Sequence, residues 1–216
     1  YSDTLFIPHN MIAGLPDDYK ENHLQADGKY AIDLSYPSFY PFMIYAESDS
    51  LRKLLRYMFL NKGMPQNVSI LSEILANRKS LAELLNYPSF SALIIDQGMA
   101  KSTEAVWEFE KDLIEKIQPK ANWDTKQLLQ LKYDTIEEND KTITDWQKDY
   151  YENQLLLKKH RVDSEEVKQY FQVDNVIEGL FAISSLLFDI KFREIENPSV
   201  WHSGVRMFEM KEKSDN

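Results

Sequence analysis

Four histidines, His9, His23, His160 and His202, are the imidazoles available for chemistry, and the chain has no cysteine. A zinc-peptidase helix places two histidines one turn apart, with a glutamate between them as base, in the order His-Glu-x-x-His. None of the four begins or ends such a run. Without cysteine, a thiolate metal site, a cysteine nucleophile and a disulfide framework are all excluded. His160, Asp163 and Glu166 are spaced by three and offer ligand atoms. Asp163 and Glu166 also have capping-box spacing, and a closed zinc site takes four ligands, so the spacing favours a helix start flanked by solvated charges. The carboxylate pairs Glu108/Glu110, Glu137/Glu138 and Glu165/Glu166 lie in charged stretches whose default is helix surface. No Gly-x-Ser-x-Gly elbow and no glycine-rich phosphate loop occurs. Tyr36, Phe39, Tyr40, Phe42 and Tyr45, with Tyr150 and Tyr151, either line a peptide groove or fill a core, and helical spacing favours the core. Trp201-His202 reads as a packed tryptophan beside a histidine that bonds backbone, since it has no nucleophile or base partner nearby.

The balance of charge narrows the partners. Asp and Glu number 35 against 25 Lys and Arg, giving a net charge of −10. Such a surface repels phosphate backbones, so no nucleic acid is expected; the densest basic patch, Lys158, Lys159 and Arg161, fits a helix end. No membrane is expected either, because the longest mostly apolar stretch, Gly179–Phe188, is half a span. No leader segment is expected, and Tyr1 in first position fits a chain processed or cut from a longer one. Asn67-Val-Ser69 matches a glycosylation acceptor, a triplet common by chance.

The elements that must position these residues are mostly helical. Only 6 glycines and a 43% hydrophobic content point to a folded, helix-rich chain with short loops. Asp17–His23 predicts a short helix and Lys29–Leu34 a strand. Pro37 opens an aromatic helix over Ser38–Ala46, and Asp49 caps one carrying Leu51, Leu54, Leu55, Met58 and Phe59. A longer helix is expected over Asn67–Leu85, with Ile70, Leu71, Ile74, Leu75, Leu81, Leu84 and Leu85 on its apolar face. Pro88–Ile95 follows, then Thr103–Ile117 capped by Ser102, an interruption at Pro119, and a helix over Trp123–Ile136. Glu137–Lys141 reads as a charged loop. Thr144 caps Asp145–Lys159, Asp163 starts a short helix to Tyr170, and Asp174 caps the last helix, to Leu187. Lys191–Ile195 and Val205–Met210 alternate and read as strands. More than half the residues should be helical and fewer than about a fifth strand.

Five strings carry a resemblance. They are Gly14-Leu-Pro16; Tyr36-Pro-Ser-Phe-Tyr-Pro-Phe42 ahead of Leu51-Arg52; Trp146 with Tyr150-Tyr151; Tyr170-Phe-Gln-Val-Asp-Asn-Val-Ile-Glu-Gly-Leu-Phe181; and Val200-Trp-His-Ser-Gly-Val205. In this order and spacing they resemble the thimet oligopeptidase / mitochondrial intermediate peptidase family of zinc metallopeptidases. Gln147 stands where that family has Asp, Gln172 where it has Pro, and Gly204 where it has Asp.

The resemblance implies a mainly α fold: a multi-helix segment of a zincin-like oligopeptidase with a small antiparallel β component. It implies one partial peptidase domain over 1–216, with a β-hairpin starting at about 191–210. The implied function is that of a fragment of a zinc-dependent oligopeptidase hydrolysing short peptides, inactive alone because the His-Glu-x-x-His half is absent. A non-catalytic helical binding or scaffold module is the alternative. Zn2+ is implied for the parent enzyme and not for this chain's own residues; no catalytic, cofactor-binding or metal position carries over. The implied partners are short peptide substrates, with the missing peptidase segments or a second copy as associates. The implied compartment is the cytoplasm, with the mitochondrion as alternative.

Overall fold

Polar/apolar alternation at the end of the first segment forms β2 (Tyr30–Asp33), which pairs antiparallel with β1 (Thr4–Ile7), Thr4 opposite Asp33 and Ile7 opposite Tyr30. The computed structural model describes residues 3–135 and 142–214, so the expected loop Glu137–Lys141 lies outside the described residues. Contacts divide the chain into two units, Tyr1–Arg161 and Val162–Asn216. Among the described residues there are nine α-helices and two two-stranded sheets, a mainly helical chain as expected.

In the first unit, α1 (Asp17–His23), α2 (Tyr36–Tyr45) and α3 (Asp49–Leu60) close over β1 and β2. Ile7, Ile32, Phe39, Phe42, Met43 and Leu55 form the centre of this core. Pro37 sits in the first turn of α2, where a missing N–H costs no helical bond. Tyr19 ties α1 to α2 by donating its hydroxyl to the Ser38 carbonyl at 2.6 Å, and His23 Nε2 lies 2.8 Å from Ser38 Oγ. Gly14 holds φ +85°, and a Cβ there would meet the Tyr45 carbonyl oxygen at 2.2 Å. The Gly-Leu-Pro string is therefore a backbone requirement: only glycine lets this segment press against the end of α2.

Beyond this core run α4 (Gln66–Leu84), α5 (Phe90–Gln97), α6 (Thr103–Thr135) and α7 (Asp145–Leu155). Ser89 and Ser102 cap α5 and α6, accepting from Ala92 N and Ala105 N, each at 3.1 Å. Two expectations change here. The helix read as broken at Pro119 is one continuous helix of 33 residues with Pro119 inside it. Proline removes one helical bond, and the turns on either side supply the rest. The helix read as ending at Lys159 is α-helical only to Leu155, then makes a π-turn over Leu156–His160 that stops at Arg161 with φ 54°. Leu128, Leu131 and Tyr151 make a second small core between α6 and α7. The apolar faces read from α4 and the first half of α6 stay largely exposed, with Ala82 the one buried residue of α4.

The second unit contains α8 (Ser164–Lys168), α9 (Val173–Phe188), β3 (Ile190–Glu194) and β4 (Phe208–Glu212). β3 and β4 are antiparallel, with Lys191 opposite Lys211 and Phe192 opposite Met210. Phe181 of α9 stacks on Phe192 at 4.3 Å and meets Phe208 edge-on at 4.8 Å. No residue of α9 is buried.

Candidate functional site: a buried arginine beside an open cleft

The start of α3 decides the site. Asp49 was expected to be the N-cap, but Ser48 takes that position, its hydroxyl accepting from Leu51 N at 3.4 Å. The Asp49 carboxylate is thereby freed to reach α7. It accepts from Trp146 Nε1 at 3.1 Å and Gln147 Nε2 at 3.0 Å, and from Arg52 Nη2 at 2.9 Å. Arg52, one turn further on, is 1% exposed. Its Nε donates to the Trp146 carbonyl at 3.2 Å, and its Nη1 to the carbonyls of Ala46 and Glu47. The guanidinium carbon lies 4.1 Å from the centre of the Tyr150 ring. Burial lowers the Arg52 pKa from its ordinary value, and the Asp49 carboxylate works against that shift.

Gln147 is the hub of the same network. Its amide nitrogen serves Asp49 while its Oε1 accepts from Lys132 Nζ at 3.1 Å and from Thr144 N at 3.2 Å. An aspartate, the residue the family string has here, would lack the donor. Lys132 is fully buried, and its ammonium also donates to the Thr142 carbonyl at 2.9 Å. Sequence reasoning missed Lys132. The signal was a lysine on the helical face that carries Leu128 and Leu131.

Beside this network opens a cleft of about 770 Å³. Asp49, Arg52 and Gln147 line it together with Glu47, Lys53 and Tyr150. Burial raises the Tyr150 pKa most, Arg52 opposes, and Glu47 adds to the rise. Arg52 and Asp49 are taken up by each other and by main-chain carbonyls, so they act as a brace across α2, α3 and α7. The cleft offers Glu47, Lys53 and Tyr150 to a polar guest.

The structure brings together residues from two of the five strings here, Arg52 from one and Trp146 with Tyr150 from another. Of the aromatics weighed as groove or core, Phe39 and Phe42 are core, Tyr45 packs half-buried against it, Tyr150 and the buried Tyr151 both line the cleft, and Tyr36 and Tyr40 are exposed. Among the described residues, no three of His, Asp or Glu come together to hold a metal, so His160, Asp163 and Glu166 do not form one. Asp163 caps α8, accepting from Glu165 N at 2.9 Å. His202 Nδ1 accepts from Gly204 N at 3.0 Å, as expected of a histidine bonding backbone, but Trp201 is 87% exposed rather than packed. Asp174 is not the cap of α9, which is Gln172; its carboxylate pairs with Arg206 at 3.3 Å. Arg206 also makes two 2.7 Å bonds to Glu194.

Residues 42–216 match the profile of Peptidase family M3. Saccharolysin of Saccharomyces cerevisiae is 31% identical over 184 residues, which are 82% of this chain and 26% of saccharolysin. Oligopeptidase A of Haemophilus influenzae is 28% identical over 218 residues, 94% of this chain and 32% of its own length. Mitochondrial intermediate peptidase of Yarrowia lipolytica is 27% identical over 168 residues, 76% of this chain and 22% of its own. The chain thus spans no more than 32% of the length of these curated relatives.

Proposed function

The chain belongs to peptidase family M3, and on that premise we propose that it is a segment of a zinc-dependent oligopeptidase that hydrolyses short peptides. Both units belong to one partial peptidase domain in this reading. The residues at hand do not fit a zinc site: among those described no metal-binding group exists, and no His-Glu-x-x-His occurs in the 216 residues. No step of hydrolysis is assigned to them. Their part is to build the wall and frame of the enzyme, and the metal belongs to polypeptide beyond this chain.

The observation that carries this reading is the uncovered apolar surface of α9. Val173, Leu180, Ile183, Leu186, Leu187 and Phe188 are all more than half exposed. So much exposed apolar surface on one helix supports a fold completed by further polypeptide. Cleavage of a quenched fluorescent peptide with added zinc tests the assignment. The purified 216-residue chain is expected to give no turnover, and chelator-sensitive turnover by it would refute the reading.

The cytoplasm is the proposed compartment and the mitochondrion the alternative. The relatives include a probable cytosolic oligopeptidase A of Arabidopsis thaliana as well as the mitochondrial intermediate peptidase. Among the described residues no helix is long and apolar enough to cross a membrane. Imaging of the tagged full-length protein against a mitochondrial marker decides between the two.

A further inference from the structure

His23 is a half-buried imidazole to which the peptidase reading gives no part, and both of its nitrogens are engaged. Nδ1 lies 2.7 Å from the Tyr19 carbonyl oxygen, and Nε2 lies 2.8 Å from Ser38 Oγ. A carbonyl only accepts, so Nδ1 carries a hydrogen whatever the charge of the ring. The neutral ring therefore has a bare Nε2, and the hydrogen of that contact comes from the Ser38 hydroxyl. Tyr19 fixes the ring in this orientation. It stacks on the imidazole with centroids 4.0 Å apart and donates its own hydroxyl to the Ser38 carbonyl at 2.6 Å.

A protonated ring reverses the contact. Nε2 then carries a hydrogen, and Ser38 Oγ must accept it. A serine hydroxyl has one hydrogen and two lone pairs. One lone pair takes the Ser35 hydroxyl at 3.4 Å and the second takes Nε2–H, which leaves the hydrogen of Ser38 in need of an acceptor. Asp33 supplies it. Its carboxyl is held below the ordinary value first by Ser35, whose N–H donates to Oδ1 at 2.8 Å, and further by the Ser38 hydroxyl and the His23 ring. Tyr19 on α1 and Asp33 at the end of β2 are the ionisable groups that face His23; Lys20, one turn back, is paired with Asp17 at 2.9 Å. The group α2 presents is Ser38, which is 6% exposed, so water has little access to replace either of its partners. We propose that Asp33, Ser38 and His23 form a proton-reversible latch: the Ser38 hydroxyl donates to the neutral ring and turns to Asp33 when the ring gains a proton, so that α1 stays fastened to α2 through the pH range in which imidazoles titrate. The latch lies within the first unit and does not rest on the peptidase reading.

Two measurements on the 216-residue chain test it. The first is the nitrogen spectrum of histidine-labelled protein, with His23→Gln to assign the signal. At about pH 8 His23 is expected to show a protonated Nδ1 and a bare Nε2. The other tautomer, a protonated Nε2 beside a bare Nδ1, overturns the proposal. The second is hydrogen exchange of the α1 amides in Asp33→Ala against the parent. Loss of the Ser35 bond lowers protection at every pH, and loss of the acceptor for Ser38 adds to it only where the ring is charged. Protection is therefore expected to fall at least about threefold further at about pH 5 than at about pH 8, and this difference should vanish in a Ser38→Ala background. An equal fall at both pH values, or a difference that persists without the Ser38 hydroxyl, overturns the proposal as well.

Discussion

Truncating Arg52 to alanine is the sharpest perturbation of the frame around the cleft. The guanidinium is buried, donates to three main-chain carbonyls and to Asp49, and lies against the Tyr150 ring. Its removal leaves Asp49 without its charge partner and three carbonyls short of a donor. Asp49 is half exposed and water takes up part of the loss, so the cost comes mainly from the carbonyls and is about 2–4 kcal/mol. For a unit of this size each kcal/mol moves Tm by about 2–4 °C, so a fall of about 4–16 °C is expected. Arg52→Lys keeps the charge but not the planar fork, and should fall roughly halfway. Trp107, Trp123 and Trp146 all lie in the first unit, so urea melts followed by tryptophan fluorescence in a Trp201→Phe background report that unit alone. An Arg52→Ala protein within about 0.5 kcal/mol of its parent, the range of ordinary surface changes, would refute the brace.

Three further outcomes follow from the same geometry. Gly14→Ala combines positive φ with a backbone clash at 2.2 Å, so it should destabilise by at least about 2 kcal/mol in the same melt; a neutral result would show that the chain does not press on α2 as described. Gln147→Glu removes the amide donor to Asp49 and adds a like charge, offset in part by Lys132, and should cost about 1–2 kcal/mol; a stabilised variant would contradict the hub. Asp33 has its pKa held below the ordinary value, first by hydrogen bonds from Ser35. The unfolded chain therefore binds that proton more readily, so the contribution of Asp33 is present above about pH 4 and lost as pH falls below it. Asp33→Asn should flatten that part of the acid limb in melts from about pH 6 to about pH 3, and an unaltered acid limb would show the carboxylate uninvolved.

Local chemistry made the elements legible and left their partners hidden. Pro37, Ser102 and the alternation before Leu34 mark element starts because each acts within a few residues of itself. Ser48 and Asp49 are adjacent and equally able to cap; which one does is set by where Trp146 and Gln147 bring a donor, 97 and 98 residues away. β1 went unread because Leu5, Phe6 and Ile7 are consecutive apolar residues, without the alternation that marks a half-buried strand. Pro119 read as a break since proline weakens a helix interior, yet 33 residues of helix absorb one lost bond. The apolar stripes of α4 and α9 announced helices with one hydrophobic face, but a period says nothing of what covers that face. The brace could be seen in the sequence only as resemblance strings, because Arg52 meets Trp146 across 94 residues.

The central claim, that this chain is the frame of a peptidase whose metal lies on other polypeptide, is tested most directly by reconstitution. The 216-residue chain would be co-expressed with a polypeptide carrying the His-Glu-x-x-His part of an M3 peptidase, and peptide cleavage measured with zinc. The account predicts chelator-sensitive turnover from the pair, none from either part alone, and its loss with Arg52→Ala. A pair that assembles at a one-to-one mass and stays inactive would contradict it, as would full activity in the metal-binding part without this chain.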